Sequence, residues 1–302
     1  MTLATSISFQ QSILSQEQKD LFYEQGYLVL PSVFSENDLI RLRNQCDNLT
    51  EAGLRKLPTA SQSASQNAQQ FTHFEKNSKF VYRYGAQGAL GLSHVVGCDG
   101  FAPDVAQYLR STKIIHTFAD LMGAVQLQHL LCQFHPKLPG SRIVFHPHRD
   151  IDHRIKYAEK AGGRWTDING HGSYVVGITA IDPMTQRNGG LCAITGSHKD
   201  AQELSGGNVS SHDMSVLRSH IGFKAITLKP GDVALLHPNL LHWSGPNCAT
   251  DQTRYTLITG FCINGANPNQ NHQDYAGDST HYILHVNEKG FKRLTAPWRT
   301  TS

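Results

Sequence analysis

Residues 146–152 read His-Pro-His-Arg-Asp-Ile-Asp. Two chemistries begin this way. His-Arg-Asp opens the catalytic loop of protein kinases. His-x-Asp presents two of the three protein ligands of a non-haem Fe(II) site, which takes two His and one carboxylate and leaves positions open for co-substrate and oxygen. The kinase reading fails on the rest of the chain. It needs a Gly-rich loop, a Val-Ala-Ile-Lys-like strand, Asp-Phe-Gly and Ala-Pro-Glu in order, and none occurs. The Asn required five residues after the Asp is Ile155. Gly85, Gly88 and Gly91 form Gly-x-x-Gly-x-x-Gly, which is not a dinucleotide fingerprint. The metal reading has a geometric basis. On an extended segment, residues i and i+2 face the same side, so His148 and Asp150 reach one ion while Arg149 points elsewhere. Arg149 is expected to be exposed or at a pocket rim, and His146 and Asp152 to be bystanders. The third ligand must come from a distant strand. Residues 231–247 offer two, His237 and His242, and Arg254 follows the second at the start of another apolar run.

These residues need a scaffold. Ser15 with Gln18, and Ser35 with Asp38, each mark a helix start, and Leu39, Leu42, Cys46 and Leu49 recur at helical spacing. Gly26 ends the first helix, and Tyr-Leu-Val-Leu at 27–30 reads as a strand. Residues 58–70 are small, polar and aperiodic, and the 58–100 region is expected to be a loop or lid. A helical segment is read from 102 to Met122. Beyond it come seven short β runs, punctuated by Pro139-Gly140, Asn188-Gly189-Gly190 and Pro230-Gly231-Asp232. Successive strands without intervening helices predict a mainly β protein with flanking helices, a sandwich or a jelly roll rather than a parallel α/β sheet. A single domain is expected: an N-terminal helical layer and lid loop at 14–122, a jelly-roll core at 123–265 and a C-terminal extension at 266–302.

Composition narrows the partners. A net charge of +3 over 302 residues gives no electrostatic footprint for nucleic acid or an anionic membrane. No apolar run is long enough to span a bilayer. The first residues lack a secretory pattern, and the final Arg-Thr-Thr-Ser lacks a peroxisomal tripeptide, so a cytoplasmic location is expected. The six cysteines are scattered, with no Cys-x-x-Cys, so neither a zinc site nor a disulfide framework is read.

The ordered set of motifs resembles the phytanoyl-CoA dioxygenase family of Fe(II)/2-oxoglutarate-dependent oxygenases over about residues 14–265. The resemblance is carried by His148-Arg149-Asp150, by His242-Trp243-Ser244-Gly245-Pro246-Asn247 and by Arg254, together with the stretches at 187–199 and 228–242. It implies that the β part is a double-stranded β-helix of the jelly-roll, cupin-like type, and that His148, Asp150 and His242 hold Fe(II). It implies that Arg254 grips the distal carboxylate of 2-oxoglutarate through paired hydrogen bonds, with Ser244 adding another and Gln133 making a polar contact. Fe(II), 2-oxoglutarate and O2 are then the cofactors, with ascorbate as a reductant in vitro. The chain departs from the family at Arg187, where an acidic residue is usual, and at Thr195, where Pro is frequent; neither position is a ligand. Related halogenases replace the metal carboxylate by a small residue, so Asp150 favours hydroxylation. Desaturation, cyclisation and epimerisation use the same cofactors and stay open, as does a catalytically silent jelly-roll binding module. The segments 58–80 and 151–172 are the expected lids, and their polar, net basic content points to a polar or anionic small molecule. A late tailoring step on a natural product such as an alkaloid fits that content. Trp165 is read as lining the pocket or as packing.

Overall fold

The computed structural model describes residues 12–58, 70–85, 88–199, 211–268, 283–287 and 290–294. Both predicted capping boxes form. Helix α1 (Gln16–Gln25) starts where the Ser15 hydroxyl accepts from the Gln18 amide and the Gln18 side chain accepts from the Ser15 amide. Gly26 ends it at φ +85°, where an added Cβ would meet His198 Nδ1 at 2.5 Å and Leu240 Cδ1 at 2.8 Å. Strand β1 (Tyr27–Leu30) follows, then α2 (Glu36–Arg55), whose Leu42, Cys46, Leu49 and Ala52 are buried.

Residues 70–96, expected within a loop, are three strands. These are β2 (Gln70–Glu75), β3 (Ser78–Tyr84) and β4 (Leu90–Val96), paired in an antiparallel meander. Alternation along β3 sends Phe80 and Tyr82 into the core and turns Lys79, Val81 and Arg83 to the other face. The polar stretch 59–69 lies outside the described residues. The segment read as one helix after 102 is broken at Arg110 and Ser111. It comprises α4 (Pro103–Leu109) and α5 (Thr112–Met122), after a single turn α3 (Cys98–Phe101).

The remaining elements are β5 (Gln126–Lys137), β6 (Phe145–His148), α6 (Asp150–Lys160), β7 (Tyr174–Ala180), β8 (Leu191–Ile194), α7 (Ser211–Ser219), β9 (Phe223–Ile226), β10 (Val233–Leu236), β11 (His242–Ser244), β12 (Arg254–Ile263), β13 (Ile283–Asn287) and β14 (Gly290–Leu294). The larger sheet runs β1-β10-β7-β12-β5-β4-β3-β2, with the β13–β14 hairpin on β5. The smaller runs β6-β11-β8-β9. Every described pairing is antiparallel, and the arrangement is the expected jelly roll with flanking helices. The first half of the expected 151–172 lid is a helix, α6. Trp165 is buried and donates its Nε1–H to the Gly172 carbonyl at 3.0 Å, so it packs rather than lining the cavity.

Candidate active site

His148 ends β6, Arg149 keeps extended dihedrals (φ −114°, ψ 131°) and Asp150 opens α6. The strand geometry therefore persists long enough for His148 and Asp150 to share a side. His242 opens β11 directly opposite His148 in the β6–β11 register. One ligand atom from each of the three residues lies within 4.8 Å of the others. His148 Nε2 is 3.6 Å from one Asp150 oxygen and His242 Nε2 is 4.0 Å from the other. Each Nδ1 faces a backbone carbonyl, that of His146 at 2.7 Å and that of Leu240 at 3.0 Å. A carbonyl only accepts, so each Nδ1 carries the hydrogen and each Nε2 turns a lone pair toward the shared point. Two imidazoles and one carboxylate on one side of a cavity fit a divalent first-row ion with open positions.

Charge reinforces the fit. Burial, with the neighbouring His148, pulls His242 down to about 4. Burial also pulls on His148, but the hydrogen bond and charge of Asp150 outweigh it and raise the imidazole. Burial pushes the Asp150 carboxyl up, yet His242 and His148 hold it below the usual carboxylate range. The cluster thus presents an ionised carboxylate and, at His242, a neutral imidazole, while Asp150 favours a second proton on His148 that a bound cation would displace.

His237, the rival third ligand, ends up elsewhere. Its Nδ1 accepts from the Asn239 amide at 3.1 Å, and its ring lies against His198 and Phe22. Burial holds it near 3, as suits a neutral core imidazole. His146 is exposed and contributes its carbonyl. Arg149, expected from the sequence to be exposed or at a pocket rim, is instead buried, only 3% accessible. Its guanidinium donates to the Ser197 carbonyl at 2.8 Å and to the Asn239 carbonyl. Alternation does turn it away from the ligands, but here that side is interior. It ties the His-x-Asp segment to the chain just before His242, and the Ser197 hydroxyl holds the Leu241 amide at 2.9 Å.

A second group sits at the other end of the cluster. Arg254 is 4% accessible; it donates to Thr256 Oγ1 at 2.8 Å, and its Nε has no partner. Burial lowers it to about 9. Directly across the β5–β12 register stands Lys137, 1% accessible. Its ammonium donates to Ser244 Oγ at 2.8 Å and to the Gly245 carbonyl, and burial together with Arg254 depresses it. Among the described residues no carboxylate pairs with either cation. Two buried positive charges without a counter-charge are costly, so this end of the site is built for an anion brought from outside. Because Ser244 accepts from Lys137, its own hydroxyl hydrogen is left for another acceptor. Gln133 accepts from His135 Nε2 at 2.8 Å.

His148, Asp150, His242, Arg254, Ser244 and Gln133 all line one cavity of about 700 Å³. Lys137 and Arg149 were missed, because the interior position of each depends on pairings that the sequence does not display. Gly189 belongs with them. It sits at φ +77°, and a Cβ there would lie 2.6 Å from the Gly245 carbonyl oxygen. The 188–190 turn can press against the Ser244–Pro246 turn because position 189 has no side chain.

Comparison with known proteins places this geometry in a family. The phytanoyl-CoA dioxygenase (PhyH) family profile matches residues 22–256. A probable phytanoyl-CoA dioxygenase of Caenorhabditis elegans is 24% identical over 257 residues, covering 78% of this chain and 72% of its own length. The phytanoyl-CoA dioxygenase of Arabidopsis thaliana is 26% identical over 254 residues, covering 78% and 85%. Among solved structures, EctD from S. alaskensis with bound Fe superposes with a TM-score of 0.61 at 18% identity, covering 86% of this chain and 80% of EctD. The non-heme alpha ketoglutarate dependent epimerase SnoN from nogalamycin biosynthesis gives 0.55 at 12% identity, covering 82% of each chain. These structural likenesses bear on the fold. The family match takes in all three residues of the histidine–aspartate cluster and the buried arginine, and the chain belongs to the phytanoyl-CoA dioxygenase family.

Proposed function

We propose that the protein is an Fe(II)/2-oxoglutarate-dependent oxygenase that hydroxylates an unactivated C–H of a polar small molecule. The observation that carries this reading is the buried, carboxylate-free Arg254, with its unpartnered Nε, in the same cavity as a two-His-one-Asp cluster. His148, Asp150 and His242 would hold the iron. When bound, the iron supplies oxygen activation coupled to loss of CO2 from 2-oxoglutarate. The balance is substrate C–H plus 2-oxoglutarate plus O2, giving substrate C–OH plus succinate plus CO2. The chain's own part is positioning. Arg254 and the Ser244 hydroxyl bind the distal carboxylate of 2-oxoglutarate, and Lys137 fixes the direction of that hydroxyl. Gln133 offers a polar contact on the neighbouring strand. Leu131, Val176, Ile178 and Ile258 give the cavity apolar wall that limits water around the reacting centre.

Asp150 supports hydroxylation over halogenation. A late tailoring step on a natural product, such as an alkaloid, is the setting proposed. Epimerisation or cyclisation is the second reading, because the fold is shared with SnoN and with SnoK, a non-heme alpha ketoglutarate dependent carbocyclase. The test uses the full chain with Fe(II), ascorbate and 2-oxoglutarate. Calorimetric binding of 2-oxoglutarate and iron-dependent succinate release are expected, and a product heavier by one oxygen marks hydroxylation. Absence of 2-oxoglutarate binding together with absence of iron-dependent succinate under every substrate tried rejects the oxygenase reading.

A further inference from the structure

We propose that His135 is a positioning residue: its ring holds the Gln133 side-chain amide in the orientation that turns the amide N–H groups into the cavity, where they donate to an oxygen of 2-oxoglutarate. Naming 2-oxoglutarate as the acceptor rests on the oxygenase reading; the link between His135 and Gln133 does not.

Strand β5 carries Gln133, His135 and Lys137 at steps of two, so all three stand on one face. The β5–β12 register sets Arg254 across from Lys137, Thr256 across from His135 and Ile258 across from Gln133. Arg254 donates to Thr256 Oγ1 at 2.8 Å, so its guanidinium leans toward the His135 position. Arg254, Thr256, His135, Gln133 and Ile258 line the same cavity. Along this wall the chemistry passes from charge, through an imidazole and a hydroxyl, to an amide beside an apolar chain.

An amide has an accepting end and a donating end, and half a turn exchanges them. Here His135 Nε2 stands 2.8 Å from Gln133 Oε1. An amide oxygen only accepts, so His135 Nε2 carries the hydrogen and Nδ1 the lone pair. The oxygen of Gln133 is thereby engaged. Its amide nitrogen has no protein acceptor among the described residues, and both N–H groups remain for a molecule in the cavity. Turned over, the same amide would set its oxygen against the oxygens of a keto acid and repel them. The ring that prevents this is itself fixed. His135 is 9% accessible, stacks on Phe145 at 4.6 Å and 22°, and packs against His94 at 5.3 Å. Burial, then His94 and the cations Arg254, Lys137 and Arg83, keep it neutral. It therefore serves as a donor without adding a third positive charge beside Arg254 and Lys137.

The test titrates 2-oxoglutarate into the anaerobic, Fe(II)-saturated full chain, read by calorimetry. Gln133→Leu and His135→Leu should each weaken binding by about three- to tenfold, the worth of one hydrogen bond. His135→Gln, which again offers an N–H to the Gln133 oxygen, should recover most of that loss. The double variant Gln133→Leu/His135→Leu should bind as Gln133→Leu does, because His135 acts through the amide and has nothing left to orient. A cooperative melt and retained Fe(II) binding by equilibrium dialysis show that the fold persists; His135→Phe, which keeps the stack on Phe145 without the donor, replaces His135→Leu if that variant does not fold. The positioning role is overturned if the donor-free variant binds as the parent does, if the two single losses multiply in the double variant, or if His135→Gln binds no better than His135→Leu. Any of these leaves the oxygenase reading standing when the parent binds 2-oxoglutarate. A parent that binds none removes the oxygenase reading, and the role of His135 toward this co-substrate falls with it.

Discussion

At the scale of single residues, the site separates groups of like chemistry by their surroundings. His242 and His237 are five positions apart and both buried, yet only His242 directs its Nε2 at Asp150. His242→Ala should abolish succinate formation coupled to substrate and weaken iron binding, whereas His237→Ala should keep both and lower only the melting temperature. Lys137 gives a sharper prediction. Removing a charged donor from a buried hydrogen bond costs about 1.5–3 kcal/mol, so Lys137→Met should raise the KM for 2-oxoglutarate roughly 10- to 100-fold and move kcat less. A drop in melting temperature with an unchanged KM would show instead that Lys137 only supports the turn at Gly245. Neither residue type is rare, and nothing local singles out Lys137. Its partner Arg254 lies across a strand pairing, 117 positions along the chain by the register.

At the scale of elements, the cluster is a junction of a strand end, a helix start and a short strand. Arg149 holds that junction by binding carbonyls of Ser197 and Asn239. Outer-sphere partners of metal ligands typically change affinity by about 10- to 100-fold when removed. Arg149→Leu should therefore weaken iron binding by about that factor and lower stability, with readout by equilibrium dialysis and thermal melting. Arg149→Lys should recover part of the loss, since a single nitrogen, Nη1, serves both carbonyls and an ammonium carries three donors. The elements differ in how visible they are in the sequence. The caps at Ser15 and Ser35 are local, with hydrogen bonds closed within three residues, and both form as read. The β2–β4 meander escaped notice because its strands alternate over few residues. Its first turn uses left-handed Lys76 and Asn77 (φ 46° and 59°) where no glycine marks it.

At the scale of the whole molecule, the described core holds several neutral histidines, and this sets an acid limit on stability. Burial, with the charges of Arg83 and Lys79, pulls His94 down to about 3; burial pulls His237 to about 3; and burial pulls His135 well below its ordinary value. Each is neutral in the fold and gains a proton in the unfolded chain below about pH 6.5. The unfolded state then binds more protons, so stability is full above that pH and declines as the pH falls toward the folded values. Each group adds a slope of up to about 1.4 kcal/mol per pH unit. Denaturant unfolding of the metal-free protein should show a steep fall in midpoint from about pH 6 to about pH 5. His94→Gln should make that fall shallower.

The sequence alone determined the kinds of candidate ligand, their chain order and a mainly β sandwich or jelly roll. Those follow from side-chain type and from backbone periods that repeat within a few residues, as when His148 and Asp150 share a side of an extended segment. Tertiary structure decided the rest. It set His242 opposite His148 and turned His237 aside. It buried Arg149, paired Lys137 with Arg254 and put residues of β3 and α6 on the wall of one cavity. The physical reason is that strand register and the approach of distant elements are fixed by packing across the whole core. No short stretch of sequence carries that information, so it exists only once the chain has folded.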